Sequence, residues 1–361
     1  MHTLYKTIIE KVESYKPDLY AATRNYLDGA VSGFSPYISR GVISTHQIFE
    51  HLKEIEQDNL KRYEKFIQEL AWRDYWQQCW VFLGNKINDD IKQAQTNVRG
   101  HDIPSNILNA QSQINEINKG INQLYETGKM HNHMRMYIAA TICNYGQIHW
   151  KTPAKWMYYH LLDGDWASNS LSWQWVVGSN ANKKYVFNQA NLNKYSKTYQ
   201  SATYIDSDYS NLPLNTVPQD LKDTGSIELK TQLPACDKIK IPYHEANIFT
   251  TYNLDSNWNQ SNNRSNILLL EPSHFNKYPI SQKVMKFILD LSKNINDIQV
   301  YVGEFKTLQE MYPRTIFHYK EHPFYNHLEG IEHPRDWMFK VKGYFPSFFN
   351  FWKKCQKEIN W

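Results

Sequence analysis

Three short segments of this 361-residue sequence concentrate side chains that could do chemistry. In Glu69-Leu70-Ala71-Trp72-Arg73-Asp74-Tyr75-Trp76, the residues Glu69, Trp72, Arg73 and Trp76 share one face if the segment is helical. A core stripe would be aliphatic there. Burying a carboxylate and a guanidinium beside two indoles is costly without partners, so this face predicts a polar cleft or a ligand contact. A solvated face with an internal ion pair is the plainer alternative. In Met130-His131-Asn132-His133-Met134-Arg135-Met136, the residues Asn132, Arg135 and Met136 again fall on one face. His131 and His133, two apart, diverge on a helix and so make a poor metal pair. The third segment is Asp163-Gly164-Asp165-Trp166-Ala167-Ser168-Asn169, followed by Trp173-Gln174-Trp175. Asp-Gly-Asp is a turn able to N-cap the next helix, which would set Asp165 and Asn169 one turn apart. Two aspartates, an asparagine and three tryptophans so close together suggest a planar, polar-rimmed ligand held near aromatics.

The elements that must position these residues follow from periodicity. From Leu4 to about Tyr199 the apolar spacing is mostly helical, with helices over Tyr63–Phe82, Gln113–Thr127, Met130–Tyr145, Ala154–Leu162 and Ala167–Val177. Ser35-Pro36 opens another helix, running through Ile38, Val42 and Ile43. Asn85–Ser112 is polar and weakly periodic, so it is expected to be a surface excursion with little of the core. Residues 201–263 lose periodicity and read as a linker or wrapping segment. Beyond them, Asn266–Leu270, Ile298–Val302 and Thr315–His318 read as strands, and Ser281–Ser292 and Phe305–Met311 as helices. That alternation predicts a small parallel α/β unit. The fold class expected is mainly α: a helical domain over residues 1–200, the irregular segment 201–263, and a small α/β domain over 264–361. Gly343–Trp352, crowded with Phe and Trp, reads as a packing tail. His318, His322, His327 and His333 among Glu321, Glu329 and Glu332 invite a metal reading, but Pro323 and Pro334 break any regular scaffold and a surface loop is expected.

A net charge of +4 and a pI near 8.6 are compatible with nucleic acid but do not make the footprint of a dedicated binder. Cys79, Cys143, Cys236 and Cys355 are far apart and form neither a disulfide framework nor a zinc signature. No long apolar run predicts a membrane span, and Met1–Lys11 has no signal-peptide core, so a cytoplasmic location without membrane or metal is expected.

In their order and separations, the Glu-Leu-x-Trp-Arg, Met-His-Asn-x-x-Arg-Met and Asp-Gly-Asp-x-Ala-x-Asn segments resemble the FAD-binding domain of the cryptochrome/photolyase family. Ser32-Gly33-Phe34-Ser35-Pro36-Tyr37, after Tyr20, is similar to that family's phosphate-binding loop, and the resemblance extends over roughly Tyr20–Tyr195. It implies an all-helical photolyase-type domain holding FAD. Ser32, Gly33, Phe34 and Ser35 would face the diphosphate, with Tyr20 at the same end. Arg73 and Trp76 would flank the cofactor, Asp163, Gly164 and Asp165 would border the flavin ring, Arg135 would pair with Asp163, and Asn169 would face the ring nitrogen N5. Trp72 and Trp175 match the indoles that clasp a flipped-out pyrimidine dimer, and Glu69 matches the carboxyl that bonds it. Asn132 and Met136 also match dimer repair, whereas (6-4) repair enzymes carry histidines at those two positions.

Trp173 and Trp150 match the inner members of the family's three-tryptophan relay. No tryptophan lies between Phe82 and His149 for the outer one, so a route through Trp156, Tyr145, Tyr158 or Tyr159 is expected. Val31, Gly33 and Lys129 depart from the family pattern, Lys183–Gln189 lacks its arginine, and only Met1–Leu19 stand where an antenna domain normally precedes. The leading expectation is light-driven repair of pyrimidine dimers, with dimer-containing DNA as partner. A cryptochrome-like photoreceptor with a protein partner is the first alternative, and a flavin-free DNA-binding or structural protein the second.

Overall fold

The computed structural model describes residues 1–361. Its contacts divide the chain into two compact units, both discontinuous in sequence. The first comprises Met1–Asp18, Ser32–Phe82 and Lys230–Trp361; the second comprises Leu19–Val31 and Leu83–Leu229. The C-terminal strands thus share a unit with residues 32–82, where the sequence predicts a domain of their own.

In the first unit, five parallel strands lie in the order Gln299–Val302, Ser265–Leu270, Glu245–Phe249, Ile316–Lys320, Ile331–His333. Ile267–Leu270 is an unbroken apolar run because a parallel strand covered on both faces buries successive side chains. The central strand, Glu245–Phe249, falls inside the segment expected to be irregular. It escapes a periodicity reading because it is five residues long with Asn247 in its middle. That amide is satisfied locally: Asn259 donates to its oxygen at 2.7 Å, and its own nitrogen donates to Asn266 at 3.0 Å.

The histidine-rich stretch is only in part the surface loop expected, with His327, Glu329 and Glu332 exposed. His318 and His322 are buried, and His318 lies on a strand with its ring nitrogens 3.0 Å from Glu245 and 3.1 Å from His333. Pairing with these two half-buried neighbours within the sheet explains how the His318 ring can be polar and interior at once.

The long helix Glu64–Leu83 has polar side chains on a buried face because the C-terminal tail supplies their partners. Asp74 accepts from the Thr45 hydroxyl at 2.9 Å and from the Met338 N–H at 2.8 Å. Gln78 donates to the Val341 carbonyl at 2.9 Å and accepts from the Gly343 N–H at 3.0 Å, and the Tyr75 hydroxyl donates to the Phe345 carbonyl at 3.0 Å. The helix opened by Ser35 stops at Ser39 instead of running through Val42 and Ile43. Gly41 sits at φ +62°, and a Cβ there would lie 2.3 Å from the Tyr252 carbonyl oxygen, so the chain must turn with no side chain. Ser44 and Gln47 then form a capping box that starts Thr45–Ile55.

The second unit packs helices Asn115–Thr127, Asn132–Ala140, Lys151–His160 and Trp166–Val177 around a core that includes Ile117, Ile121, Ile138, Trp150, Trp156 and Trp173. The segment Asn85–Ser112 belongs to this core and is not a mere surface excursion. Ile87, Ile103 and Ile107 are fully buried, and Asn88 and Asp90 accept the indole N–H groups of Trp166 and Trp150, each at 2.8 Å. Three buried apolar residues spread over a polar stretch give no period, which is why the sequence hides them. The single helix expected over Met130–Tyr145 is α-helical to Ala140 and widens into a π-turn over Thr141–Tyr145. No helix of the chain is long and apolar enough to cross a membrane.

Several histidines fold neutral. Burial pushes His131 and His274 each down to about 4 and holds His322 well below its ordinary value. In the unfolded chain such a group protonates near 6.5. Its contribution to stability is therefore complete above about pH 6.5 and is lost as pH falls towards about 4, because the unfolded ensemble binds the proton first. His274 packs against the rings of Phe275, Phe324 and Tyr325, so His274→Phe keeps an aromatic ring there. At pH 5 this variant should take up about one proton fewer on unfolding than the parent, measured as the pH dependence of the denaturation free energy.

Candidate functional site

In the second unit the polar residues gather at one end of the helix Trp166–Val177. Asp165 is its N-cap, accepting the Ser168 N–H at 2.7 Å. The preceding turn is tight: a Cβ on Gly164 would meet the carbonyl oxygens of Leu161 and Tyr158 at 3.1 Å. Asp163, buried in that turn, receives both its oxygens' bonds from Arg135 Nη2, at 2.9 and 2.8 Å. Arg135 is aimed by a second contact, donating from Nε and Nη2 to the Met130 carbonyl at 3.1 and 3.0 Å. One turn into the helix, buried Asn169 donates to the Ala154 carbonyl at 2.8 Å. The buried hydroxyl of Ser168, between Asp165 and Asn169, has no hydrogen-bond partner within the protein.

The aromatic residues of this unit divide by exposure. Trp173 and Trp150 are buried, whereas Trp175 is 39% exposed and its ring lies 5.9 Å from that of Tyr185. Asn132 is exposed at the first turn of its helix, and Met136 is half-buried against the core. Tyr20 opens a four-residue helix and is half-buried.

In the first unit, Glu69, Trp72, Arg73 and Trp76 are all half-buried on the long helix. Arg73 donates to the Ser39 hydroxyl at 2.9 Å, tying this helix to the short one that Ser35 begins. Ser32 accepts the Phe34 N–H at 3.3 Å, Gly33 turns at φ +66°, and Phe34 is buried against Tyr15 at 5.1 Å. Glu69 lies 3.4 Å from the Lys65 ammonium. Trp76 is 5.0 Å from Trp72, and Trp72 is stacked on Phe348 of the C-terminal helix at 3.8 Å with the planes 10° apart. One face of Trp72 is therefore covered by protein.

Sequence reasoning passed over Phe348 and Ser168. The aromatic crowding of the tail signals that Phe348 is buried, but nothing local tells which ring it meets. Ser168 reads as an ordinary first-turn residue, and only its lack of a partner in the fold distinguishes it.

A family model described as the FAD binding domain of DNA photolyase matches residues 66–209. A deoxyribodipyrimidine photo-lyase of Alkalihalophilus pseudofirmus is 27% identical over 191 residues, covering 52% of this chain and 40% of that protein. A cryptochrome DASH of Synechocystis sp. is 29% identical over 198 residues, covering 52% of this chain and 40% of its own length. The crystal structure of a Synechocystis cryptochrome superposes with a TM-score of 0.47 and 25% identity over 54% of this chain and 44% of that one. The chain spans about two fifths of the length of these curated relatives.

The side chains of the second unit fit FAD. An unpaired buried hydroxyl and a guanidinium–carboxylate pair lie on either side of the capping Asp165, a donor set suited to a ring whose edge both donates and accepts. The pair is also a stability element. Arg135→Leu strands Asp163, whose side chain is only 6% exposed, without its guanidinium. Because Arg135 is itself partly exposed, the cost should be about 2–3 kcal/mol, at or below the usual range for breaking a buried pair. Chemical denaturation measures it, and loss of the flavin absorbance from the purified variant is expected alongside.

Proposed function

With residues 66–209 forming an FAD-binding domain of the DNA photolyase family, we propose that this chain is a light-driven, FAD-dependent lyase that splits cyclobutane pyrimidine dimers in DNA. The observation that carries this reading is the pairing of Glu69 and Trp72, a half-buried carboxylate and indole three residues apart on one helix face. A flat apolar ring beside a hydrogen-bonding group is what recognition of an unstacked base requires. The curated relative named deoxyribodipyrimidine photo-lyase supports the same reading.

In this proposal bound FAD in its reduced form supplies the photoexcited electron. The chain's residues bind, orient and shield. In the first unit Ser32, Gly33, Phe34 and Ser35 would hold the diphosphate and Arg73 and Trp76 would flank the cofactor; in the second, Tyr20 would contact the diphosphate end and Asp163, Gly164, Asp165 and Asn169 would border the ring. Arg135, charged and paired with Asp163, favours negative charge beside it. In the first unit Trp72 would offer a flat face to the dimer and Glu69 would bond its base edges; in the second, Trp175, Asn132 and Met136 would contact the lesion. Trp173 and Trp150 serve as buried electron donors. Asp90, accepting the Trp150 indole N–H, stabilises positive charge on that ring.

A photoreceptor reading draws support from the relative named cryptochrome DASH. Blue-light-dependent loss of a thymine dimer from an oligonucleotide separates the two. A flavin-loaded protein that neither binds nor clears the dimer would end the repair reading. Within it, Glu69→Ala should lower the repair yield roughly tenfold, the size expected for losing one hydrogen bond to a charged group, with flavin content unchanged. Loss of flavin instead would assign Glu69 to the cofactor.

A further inference from the structure

We infer that the C-terminal helix Phe348–Cys355 is the positioning element for Trp72, with Phe348 fixing the plane in which that indole meets an unstacked base. The inference rests on the reading of Trp72 as a lesion contact and adds to it a residue from the other end of the chain.

Three rings form a nearly parallel series. Trp72 and Phe348 lie 3.8 Å apart at 10°, and Phe348 and Trp352 lie 6.2 Å apart at 11°. Phe348 is 2% and Trp352 3% exposed, so the series is rooted in the interior and Trp72 is its outermost plate. Phe348 covers one face of Trp72 at 3.8 Å, and Trp76 and Tyr75 border the indole at 5.0 and 5.6 Å, which leaves it half-buried. Tyr75 packs edge-on to Phe348 at 5.8 Å and Gln78 clasps the tail backbone on both sides of Lys342, which hold the helix in place.

The physical consequence is preorganisation. A tryptophan on a helix surface has several rotamers and must surrender them to stack on a base. Stacking on a buried ring removes that freedom during folding, so the cost is not met again at binding. Phe348 touches neither cofactor nor DNA in this scheme; it acts through Trp72.

The test uses the full flavin-loaded chain in the dark with a labelled oligonucleotide carrying one cis-syn thymine dimer, read by fluorescence anisotropy. Phe348→Leu keeps most of the volume and loses the flat ring. It should weaken dimer binding about five- to tenfold, the low end of the range that base–aromatic stacking spans, while flavin content and affinity for undamaged DNA hold. Phe348→Tyr should restore it. Phe351→Leu is the control, since Phe351 is 1% exposed on the same helix and meets Tyr75 at 5.7 Å without being stacked on Trp72. It should lower the melting temperature about as much and leave dimer affinity alone. Equal dimer affinities for the two leucine variants overturn the inference. So does tighter binding by Phe348→Leu, which would make the helix a plug over Trp72. Trp72→Ala separates the layers: if it leaves dimer affinity unchanged, the lesion-contact reading itself fails, and if it weakens binding while Phe348→Leu does not, only the positioning role fails.

Discussion

A carboxylate buried in a turn is tolerated only while a cation faces it, and in the second unit that condition organises the neighbourhood. Arg135 satisfies Asp163 and is itself held by the Met130 carbonyl, so the helix Asn132–Ala140 is pinned to the turn that precedes Trp166–Val177. Once the turn is pinned, Asp165 is in place to cap, and the phase of the next helix is set. Asn169, Trp173 and Trp175 then take their directions from that phase: inward for the first two, outward for the third. Electrostatic pairing thus does the work that apolar periodicity does elsewhere, because Trp166–Val177 is buried almost all round and has no amphipathic stripe to orient it.

The first unit meets a similar problem with one carboxylate and two amides. Asp74, Gln77 and Gln78 are interior residues of a long helix and would be prohibitively costly if left unpaired. Their partners are the tail, reached through Met338, Val341 and Gly343, and Arg335, which donates to Gln77. Desolvation pushes Asp74 up to about 6 although its two hydrogen-bond donors and the charges of Arg335 and Arg73 oppose the shift.

How much of this was legible in the sequence depends on the range over which the cause acts. The Glu64–Leu83 and Trp166–Val177 helices, the Asp165 cap and the strands Ser265–Leu270 and Gln299–Val302 follow from local spacing and turn chemistry, and each lies within a few residues of its expectation. The three motif segments and their family resemblance were also readable, because motif order and separation survive in one dimension. What failed to show was set by distant partners. The strand Glu245–Phe249 hides behind an asparagine satisfied from two other segments, and His318 is interior only because Glu245 and His333 converge on it. The break after Ser39 depends on the Tyr252 carbonyl, more than two hundred positions away, which leaves no room for a side chain on Gly41.

The interleaving of segments has a further consequence, for biosynthesis. The unit built from Leu19–Val31 and Leu83–Leu229 can assemble as soon as those residues have left the ribosome. The unit that needs Met1–Asp18, Ser32–Phe82 and Lys230–Trp361 cannot close until translation has delivered its last segment. Until then the Glu64–Leu83 helix carries unsatisfied interior polar groups and uncovered indoles, the kind of nascent surface on which chaperones act and premature chains aggregate.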